Sequence, residues 1–369
     1  MELYTNFCFL LIRVYDNRVA ERNTMRINAG GWGWIIPLLL VISLAANILA
    51  LTLPFLEIDK AFNAKVTYSL PHSVHLMWEH KLYFIAALIL GFSIVFPFVK
   101  LFSLFAIWFL PWRSTTREKY LHAIELLGKW SYMDIFVVIL LISLTSNQTS
   151  ISSTIHEGVY LFIGAITLSM ITSAIITTLA RKQCELESPN VSFSKKMRWM
   201  VIDHLYLGWI VPVLVFASAI ALIQSLHATF LKINQLFLVS RSFSINEIGV
   251  LLQEQKLWTL FIILAGTLFI LPLLRLSILL ISWLIPMKEQ LHTKAKQTVD
   301  VLSRWCMLDV FGLALFLIAT EGKDLVKTEI KPGLYIVVTA IGLSYVLAII
   351  AIMLNKVMAA KTHRLPAED

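Results

Sequence analysis

Long apolar stretches separated by short polar segments dominate this chain. Six stretches have about the 20 residues that a helix needs to cross roughly 30 Å of hydrocarbon. Two are shorter and cross only when they are tilted or lie in a thinned bilayer. The eight predicted spans are Trp34–Leu56, Leu82–Leu110, Tyr132–Thr145, Gly158–Ala180, Leu207–Leu226, Leu257–Ile285, Met307–Thr320 and Gly333–Leu354. The pattern predicts an all-α polytopic membrane protein.

Composition and charge agree with this class and predict an orientation. The chain is 58% hydrophobic and 15% charged, which is too apolar for one soluble core. The termini and every second loop hold 20 of the 31 Lys and Arg residues, and the alternate loops hold 9. Since cytoplasmic loops retain Lys and Arg, we expect both termini in the cytoplasm. The pI near 9.3 reflects topology and anionic headgroups more than nucleic acid.

A second pattern is an internal repeat at an offset of 175 residues without gaps. The offset superimposes Trp34, Ile35 and Pro37 on Trp209, Ile210 and Pro212, and it continues to Gly158 and Tyr160 on Gly333 and Tyr335. Four spans per copy give both copies one orientation, so the repeat is parallel. The predicted organisation is an N-terminal cytoplasmic segment 1–33, a four-helix domain 34–180, a linker 181–206, a second four-helix domain 207–354 and a tail 355–369.

Each copy also has an outside loop of about 25 residues between its first two helices. In the second copy this loop contains LFLVSRSFSI, which mixes β-branched and aromatic residues with partial alternation. We expect a small extracytoplasmic β-hairpin or sheet there, with an irregular loop as the alternative.

At the N-terminus, the apolar stretch Phe7 to Ile12 is too short for a cleaved signal, and Met25 is an alternative start.

One cation interrupts the second helix of each copy. Pro97, Lys100, Leu104, Trp108 and Pro111 have spacings that place them on one helical face. The offset repeats this stripe as Pro272, Arg275, Leu279, Trp283 and Pro286. A charge at mid-bilayer costs about 2.5 to 3.5 kcal/mol, so each cation should face the protein interior and have a partner.

The third helix of each copy supplies a candidate partner. Lys100 lies about 12 Å inside the boundary marked by Trp108, and Asp134 lies about 6 Å inside the boundary marked by Trp130. A lysine side chain can bridge most of that difference, so we expect a contact between Lys100 and Asp134. Arg275 and Asp309, near Trp305, should repeat it.

Other interpretations of these residues remain open. Asp134 also has the spacing of a capping box with Ser131, although Cys306 replaces that serine before Asp309. Either pair could be an ion pair that only fixes helix register. Pro97 and Pro272 should kink their helices as part of the architecture. Four tryptophans lie beside helix ends, and the simplest interpretation is that they anchor these ends at the membrane interface. They are Trp108, Trp130, Trp283 and Trp305.

Sequence motifs for catalysis and cofactor binding do not occur. The chain has no HExxH, GxSxG, P-loop or GxGxxG pattern, and its nine histidines and three cysteines form no ligand-spaced cluster. We therefore expect neither an enzyme nor a metal or cofactor site, and no nucleic-acid partner.

The combined pattern P-x-x-K/R, an aromatic-rich run to W-x-x-P and W-S/C-x-x-D-I/V-F resembles the paraquat-inducible protein A (PqiA/LetA) family. Both copies carry it, so the resemblance covers nearly the whole chain. It implies a bacterial inner-membrane protein that moves lipids between membranes with a periplasmic MCE-domain partner. Better-known members carry zinc ribbons with CxxC pairs before each unit, which this chain lacks, so zinc is not expected.

The functional hypothesis is a lipid-trafficking subunit that presents phospholipids to the periplasmic partner. Lys100 and Arg275 would contact a phosphate or relay a change in protonation, and Asp134 and Asp309 would balance their charge. Two alternatives are a membrane scaffold for envelope integrity and, less favoured, a secondary transporter of small solutes.

Overall fold

The computed structural model describes residues 32–60, 63–79, 81–111, 114–145, 151–187, 197–198, 209–235, 239–321 and 328–362. The predicted segment 1–33, the linker 181–206 and the tail 355–369 lie partly outside these ranges, and their boundaries stay predictions.

Helices make up most of the first repeat, with three short strands between them. Its elements are α1 (Trp32–Thr52), β1 (Leu56–Lys60), β2 (Asn63–Tyr68), α2 (Leu70–Glu79), α3 (Tyr83–Leu88), α4 (Phe96–Phe109), α5 (Ser114–Gly128), α6 (Met133–Thr145), β3 (Ile151–Ile155) and α7 (Glu157–Glu187). A π-helical segment, Ile89–Val95, joins α3 to α4, and a 3₁₀ turn, Lys129–Tyr132, joins α5 to α6.

The second repeat has the same order of helices, and none of its strands is longer than five residues. After a two-residue strand β4 (Met197–Arg198) come α8 (Ile210–His227), β5 (Leu231–Gln235), β6 (Val239–Phe243), α9 (Ile245–Glu254), α10 (Trp258–Ala265), α11 (Leu271–Leu284), β7 (Met287–Lys288), α12 (Glu289–Trp305), α13 (Leu308–Glu321), β8 (Thr328–Ile330) and α14 (Gly333–Thr362). A π-helical segment, Gly266–Ile270, joins α10 to α11.

Eight helical stretches within the described residues are long and apolar enough to cross a membrane. They confirm the predicted class, an all-α polytopic membrane protein with a tandem repeat. The two spans predicted as short are extended, to Lys119–Ser143 and Gln290–Ile318. Their first parts belong to the polar helices α5 and α12, where hydropathy alone gives no sign that the helix has begun.

Small antiparallel sheets form at the connection between the first two helices of each repeat. The strand orders are β2-β1-β3 and β6-β5-β8. The sequence predicted the hairpin strands but not the third strand, which comes from the connection between the third and fourth spanning helices. In the first sheet Leu56 pairs with Ile155, and in the second Leu231 pairs with both Phe243 and Ile330. Each sheet therefore ties two connections of its repeat together.

Contacts divide the chain into two compact units. The described residues of unit 1 fall within 32–55, 68–131 and 156–187, and those of unit 2 fall within 56–67, 132–155 and 197–362. In unit 1, α1 packs along α7 and α4, and α5 packs against α7. In unit 2, α8 packs along α14 and α11, and α6 packs against α13. The third helix of the first repeat is thus grouped with the second repeat.

Packing between α6 and α13 brings equivalent residues of the repeats together. Phe136 and Phe311, which the 175-residue offset relates, meet edge to face with ring centroids 5.7 Å apart. Both side chains are fully buried, and Phe311 also contacts Phe230 from the start of the second sheet. Equivalent positions of the two repeats therefore meet where α6 packs against α13.

Pro97 and Pro272 each lie just after a π-helical segment. A proline ring in an α-helix clashes with the carbonyl four residues back, and a wider turn relieves that clash. The amide of Phe96 bonds the Gly91 carbonyl, five residues back. Continuing this pattern would place the next bond between residue 97 and the Phe92 carbonyl, but Pro97 has no N–H.

The carbonyl that each proline releases accepts a hydrogen bond from the start of the third helix. In unit 1, Ser131 Oγ donates to the Phe92 carbonyl at 3.4 Å. In unit 2 the equivalent carbonyl, that of Thr267, accepts from the Met307 amide at 3.4 Å. The departure from α geometry beside Pro97 and Pro272 is therefore bonded to the neighbouring helix in both repeats.

Candidate functional site

The predicted stripe on α4 faces the interior of unit 1. Pro97, Lys100, Leu104 and Trp108 are all buried, while Val99 and Phe102, which lie between them in the sequence, are exposed. Lys100 retains only 2% of its exposure. A mid-span lysine that is so completely enclosed must have its charge satisfied by protein groups.

A hydroxyl on the fourth spanning helix supplies one partner. Lys100 Nζ donates to Ser169 Oγ at 3.0 Å, and the same hydroxyl donates to the Ile166 carbonyl at 2.8 Å. Ser169 therefore links the Lys100 ammonium to the backbone of α7 by two hydrogen bonds.

Helix α5 closes the site from a third direction. A Cβ added at Gly128 would lie 3.3 Å from Lys100 Nζ, so the ammonium packs directly against this glycine. Glu125 lies three residues earlier, hence on the same side of α5, and the charge of its buried carboxylate acts on Lys100. Arg117 and Lys129 on this helix and its 3₁₀ extension are also buried. The site thus combines groups from α4, α5 and α7.

Sequence reasoning missed Ser169, Glu125 and Gly128, although the repeat held a signal for two of them. The offset of 175 places Ser169 on Ser344 and Glu125 on Asp300, so a serine and an acid recur at these positions. Gly128 corresponds to Ser303 and could not have been found in this way.

The second repeat builds a different polar cluster at the equivalent place. Tyr345 Oη donates to Asp309 Oδ2 at 2.6 Å, linking α14 to α13. The charge of Arg275 on α11 also acts on Tyr345. Tyr345 corresponds to Met170 of the first repeat, so the sequence alignment of the copies gave no reason to expect this phenol.

The second cluster is also more open than the first. Tyr345 is 49% exposed and Arg275 is partly exposed. Helix α5 packs against α7 over Lys100, whereas α12 packs mainly against α11 and makes no comparable packing with α14 in the part of the chain that the structure describes. Accordingly, Glu125 is buried and its counterpart Asp300 is exposed.

The predicted acid partners lie in the first turns of α6 and α13. Asp134 is buried and belongs to unit 2, while Lys100 belongs to unit 1, so their contact stays a prediction. The contact between Arg275 and Asp309 also stays a prediction, although Tyr345 bonds Asp309 and the charge of Arg275 acts on Tyr345.

The tryptophans predicted as interface anchors are enclosed to different degrees. Trp108 and Trp283 are buried within their units, and Trp130 and Trp305 are partly exposed. Trp130 also packs on Phe92, with ring centroids 5.8 Å apart. Packing inside the protein is thus part of what Trp108, Trp283 and Trp130 do, and their role as anchors stays a prediction.

Among the described residues, no group of three or more His, Cys, Asp or Glu side chains converges in a way that could hold a metal ion. The chemistry available at both clusters is therefore that of cations, carboxylates and hydroxyl groups, which can bind an anion or exchange a proton.

Within the described residues, eight apolar helices form two copies of one unit, each with a cation on its second spanning helix. They define a multi-pass membrane protein of duplicated four-helix architecture. The family model described as Paraquat-inducible protein A matches residues 36–180 and again residues 210–356. The two matches cover most of the chain, and the protein belongs to the paraquat-inducible protein A family. No curated protein and no solved structure matches the chain.

Proposed function

We propose that this protein is the bacterial inner-membrane subunit of a lipid-trafficking system, and that it passes phospholipids to a periplasmic MCE-domain partner. Membership of the paraquat-inducible protein A family supports the membrane setting. The lipid and the partner are the proposal, and they follow from the resemblance of the repeated motif.

The observation that carries the proposal is the enclosed lysine of the first repeat. A charge at this depth costs about 2.5 to 3.5 kcal/mol, and such residues in membrane helices most often belong to a pathway for a substrate, an ion or a proton. Lys100 is held by the hydroxyl of Ser169 and the field of Glu125. A lipid phosphate entering the site could replace the serine hydroxyl without leaving the ammonium unbonded.

Lysine and arginine give the two repeats different capacities. Arginine stays charged under all ordinary conditions, while a buried lysine can lose its proton. Lys100 is thus suited to a step that responds to protonation, and Arg275 to constant attraction of a phosphate. Asp134 and Asp309 balance these charges in the proposed mechanism.

The test is Lys100→Met in a bacterial strain that lacks redundant lipid-trafficking systems. The variant should lose resistance to detergents and disturb outer-membrane lipid composition at a normal expression level. Lys119→Met is the matched control, because Lys119 is an exposed lysine in unit 1 and should leave both readouts unchanged. Normal detergent resistance in the Lys100→Met strain would contradict the proposal.

A scaffold role predicts another result from the same strains. If Lys100 only stabilises a docking platform, Lys100→Met should lower the yield or thermal stability in proportion to the envelope defect. A defect at unchanged yield and melting temperature excludes that explanation.

A further inference from the structure

Two lysines adopt a backbone conformation that normally belongs to glycine. In the part of the chain that the structure describes, Lys81 and Lys256 are the non-glycine residues with positive φ, at 63° and 60°. The offset of 175 relates them to each other, so the conformation occurs at the same place in both repeats. A side chain in the left-handed region is strained, and an observed strain of this kind is a reason to look for function.

The strain arises where a short amphipathic helix turns into the second spanning helix. Helices α2 and α9 end in a Schellman motif: the amides of Leu82 and Leu257 bond carbonyls five residues back, and those of the two lysines bond carbonyls three residues back. Glycine is the usual residue at the left-handed position of this motif because it has no Cβ. Both repeats place lysine there instead.

The lysine side chains are exposed, and both lie just before the second spanning helix of their repeat. Each lysine lies two residues before an exposed aromatic residue, Tyr83 or Trp258, which begins the helix leading into the next span. In the first repeat, Trp78 and Tyr83 also pack edge to face, with centroids 5.1 Å apart. Exposed aromatic rings at the end of a span are typical of the headgroup level.

Neither ammonium group has a hydrogen bond or ion pair with another described residue. A favourable interaction of lysine with the C-terminal end of a helix offsets part of the strain. This interaction does not explain why, in both repeats, an exposed aromatic residue follows the lysine two positions later. An ammonium group beside an aromatic ring is complementary to a phospholipid. The ammonium would bind the phosphate, and the ring would contact the glycerol and the upper part of the acyl chains.

We propose that the corners formed by Lys81 with Tyr83 and by Lys256 with Trp258 are binding sites for the headgroups of anionic phospholipids. These sites lie on the connection between the first two spans of each repeat, separate from the enclosed cations. They hold lipids at the surface of the protein, and they do not depend on the proposed lipid transfer.

The test compares melting temperatures of the full-length protein in neutral detergent, with and without phosphatidylglycerol or phosphatidylcholine. Phosphatidylglycerol should raise the melting temperature of the wild type more than phosphatidylcholine does. The double variant Lys81→Gly with Lys256→Gly should lose most of this difference, while its melting temperature in detergent alone is equal or higher because the strain is relieved. The double arginine variant should keep the difference.

The matched control is Lys119→Gln with Lys294→Gln. These lysines are also exposed and also related by the offset of 175, but they lie in the helices α5 and α12. The control removes the same charge and should retain the phosphatidylglycerol effect. If the double glycine variant is poorly folded, the double asparagine variant replaces it, since asparagine tolerates the left-handed conformation.

Three results would overturn the proposal. The first is a full phosphatidylglycerol effect in the double glycine or double asparagine variant. The second is an equal loss in the control variant, which would indicate a response to net charge alone. The third is an equal stabilisation of the wild type by inorganic phosphate, which would identify an anion site without selectivity for lipid.

Discussion

Removal of the Ser169 hydroxyl is the most direct perturbation of the enclosed lysine. Ser169→Ala leaves the shape of the site nearly unchanged but deletes the acceptor 3.0 Å from Lys100 Nζ. The lysine is 2% exposed and the serine 5%, so water cannot readily replace the lost bond. Hydrogen bonds to charged groups contribute about 1.5 to 3 kcal/mol, and the variant should lose a free energy of unfolding in that range.

The same helix offers a close control. Ser173 lies one turn further along α7 and is 1% exposed, and its hydroxyl has no hydrogen-bond partner among the described residues. Ser173→Ala removes the same atom at the same burial and should be neutral or slightly stabilising, because an unsatisfied buried hydroxyl is unfavourable. The measurement is denaturant-induced unfolding of both variants in mixed micelles. Indistinguishable stabilities of the two variants would refute the argument that Ser169 satisfies the lysine.

Two further predictions use the same unfolding assay. Gly158→Ala should destabilise the protein by about 1 to 3 kcal/mol, since the added Cβ would lie 2.5 Å from the Pro54 carbonyl oxygen and backbone has little room to move. Gly164→Ala, in open space on the same helix, should be neutral or stabilise by about 0.5 to 1 kcal/mol, and equal effects of the two would contradict this. Tyr345→Phe removes the bond to Asp309 and should cost about 1 kcal/mol, because the half-exposed site admits solvent; no change would show that the bond contributes nothing.

The spans and the repeat could be predicted because a bilayer imposes strict demands on the chain. Every backbone group in hydrocarbon must be bonded within the protein, so an apolar run of sufficient length becomes a helix. The ungapped offset then predicted two equivalent units, and two family matches confirm the repeat. The same hydropathy failed at α5, where Arg117 and Glu125 are buried in a polar helix that continues into the next span.

The third strand of each sheet could not be predicted for a different reason. Residues Ile151–Ile155 pair with Leu56–Lys60, almost 100 residues earlier in the chain, and local alternation gives no information about such a distant partner.

The left-handed conformation of the two lysines could not be predicted from the sequence either. Glycine is the expected residue after a helix, so Lys81 and Lys256 gave no sign of a turn.

The bond between Lys100 and Ser169 was not predicted, because the sequence offered a carboxylate on the adjacent helix as the candidate partner. Ser169 lies on the fourth spanning helix, 69 positions away, and a serine in an apolar span is usually bonded to its own helix. Ser169 makes that bond too, to the Ile166 carbonyl, and accepts from the lysine in addition. Only the fold reveals that both interactions share one hydroxyl.

The two repeats keep a cation at the same position but enclose it differently, and this difference bears on mechanism. Lys100 is surrounded by three helices, and a serine on the fourth span bonds it. Near Arg275 the fourth span carries Tyr345, whose hydroxyl bonds an acid instead, and the cluster is open enough for half of the tyrosine to be exposed. Since removal of a partner from an enclosed charge costs far more than removal from an open one, equal substitutions in the two repeats are not equal perturbations. A weak phenotype at Arg275 would therefore say nothing about Lys100, and each repeat has to be tested against its own control.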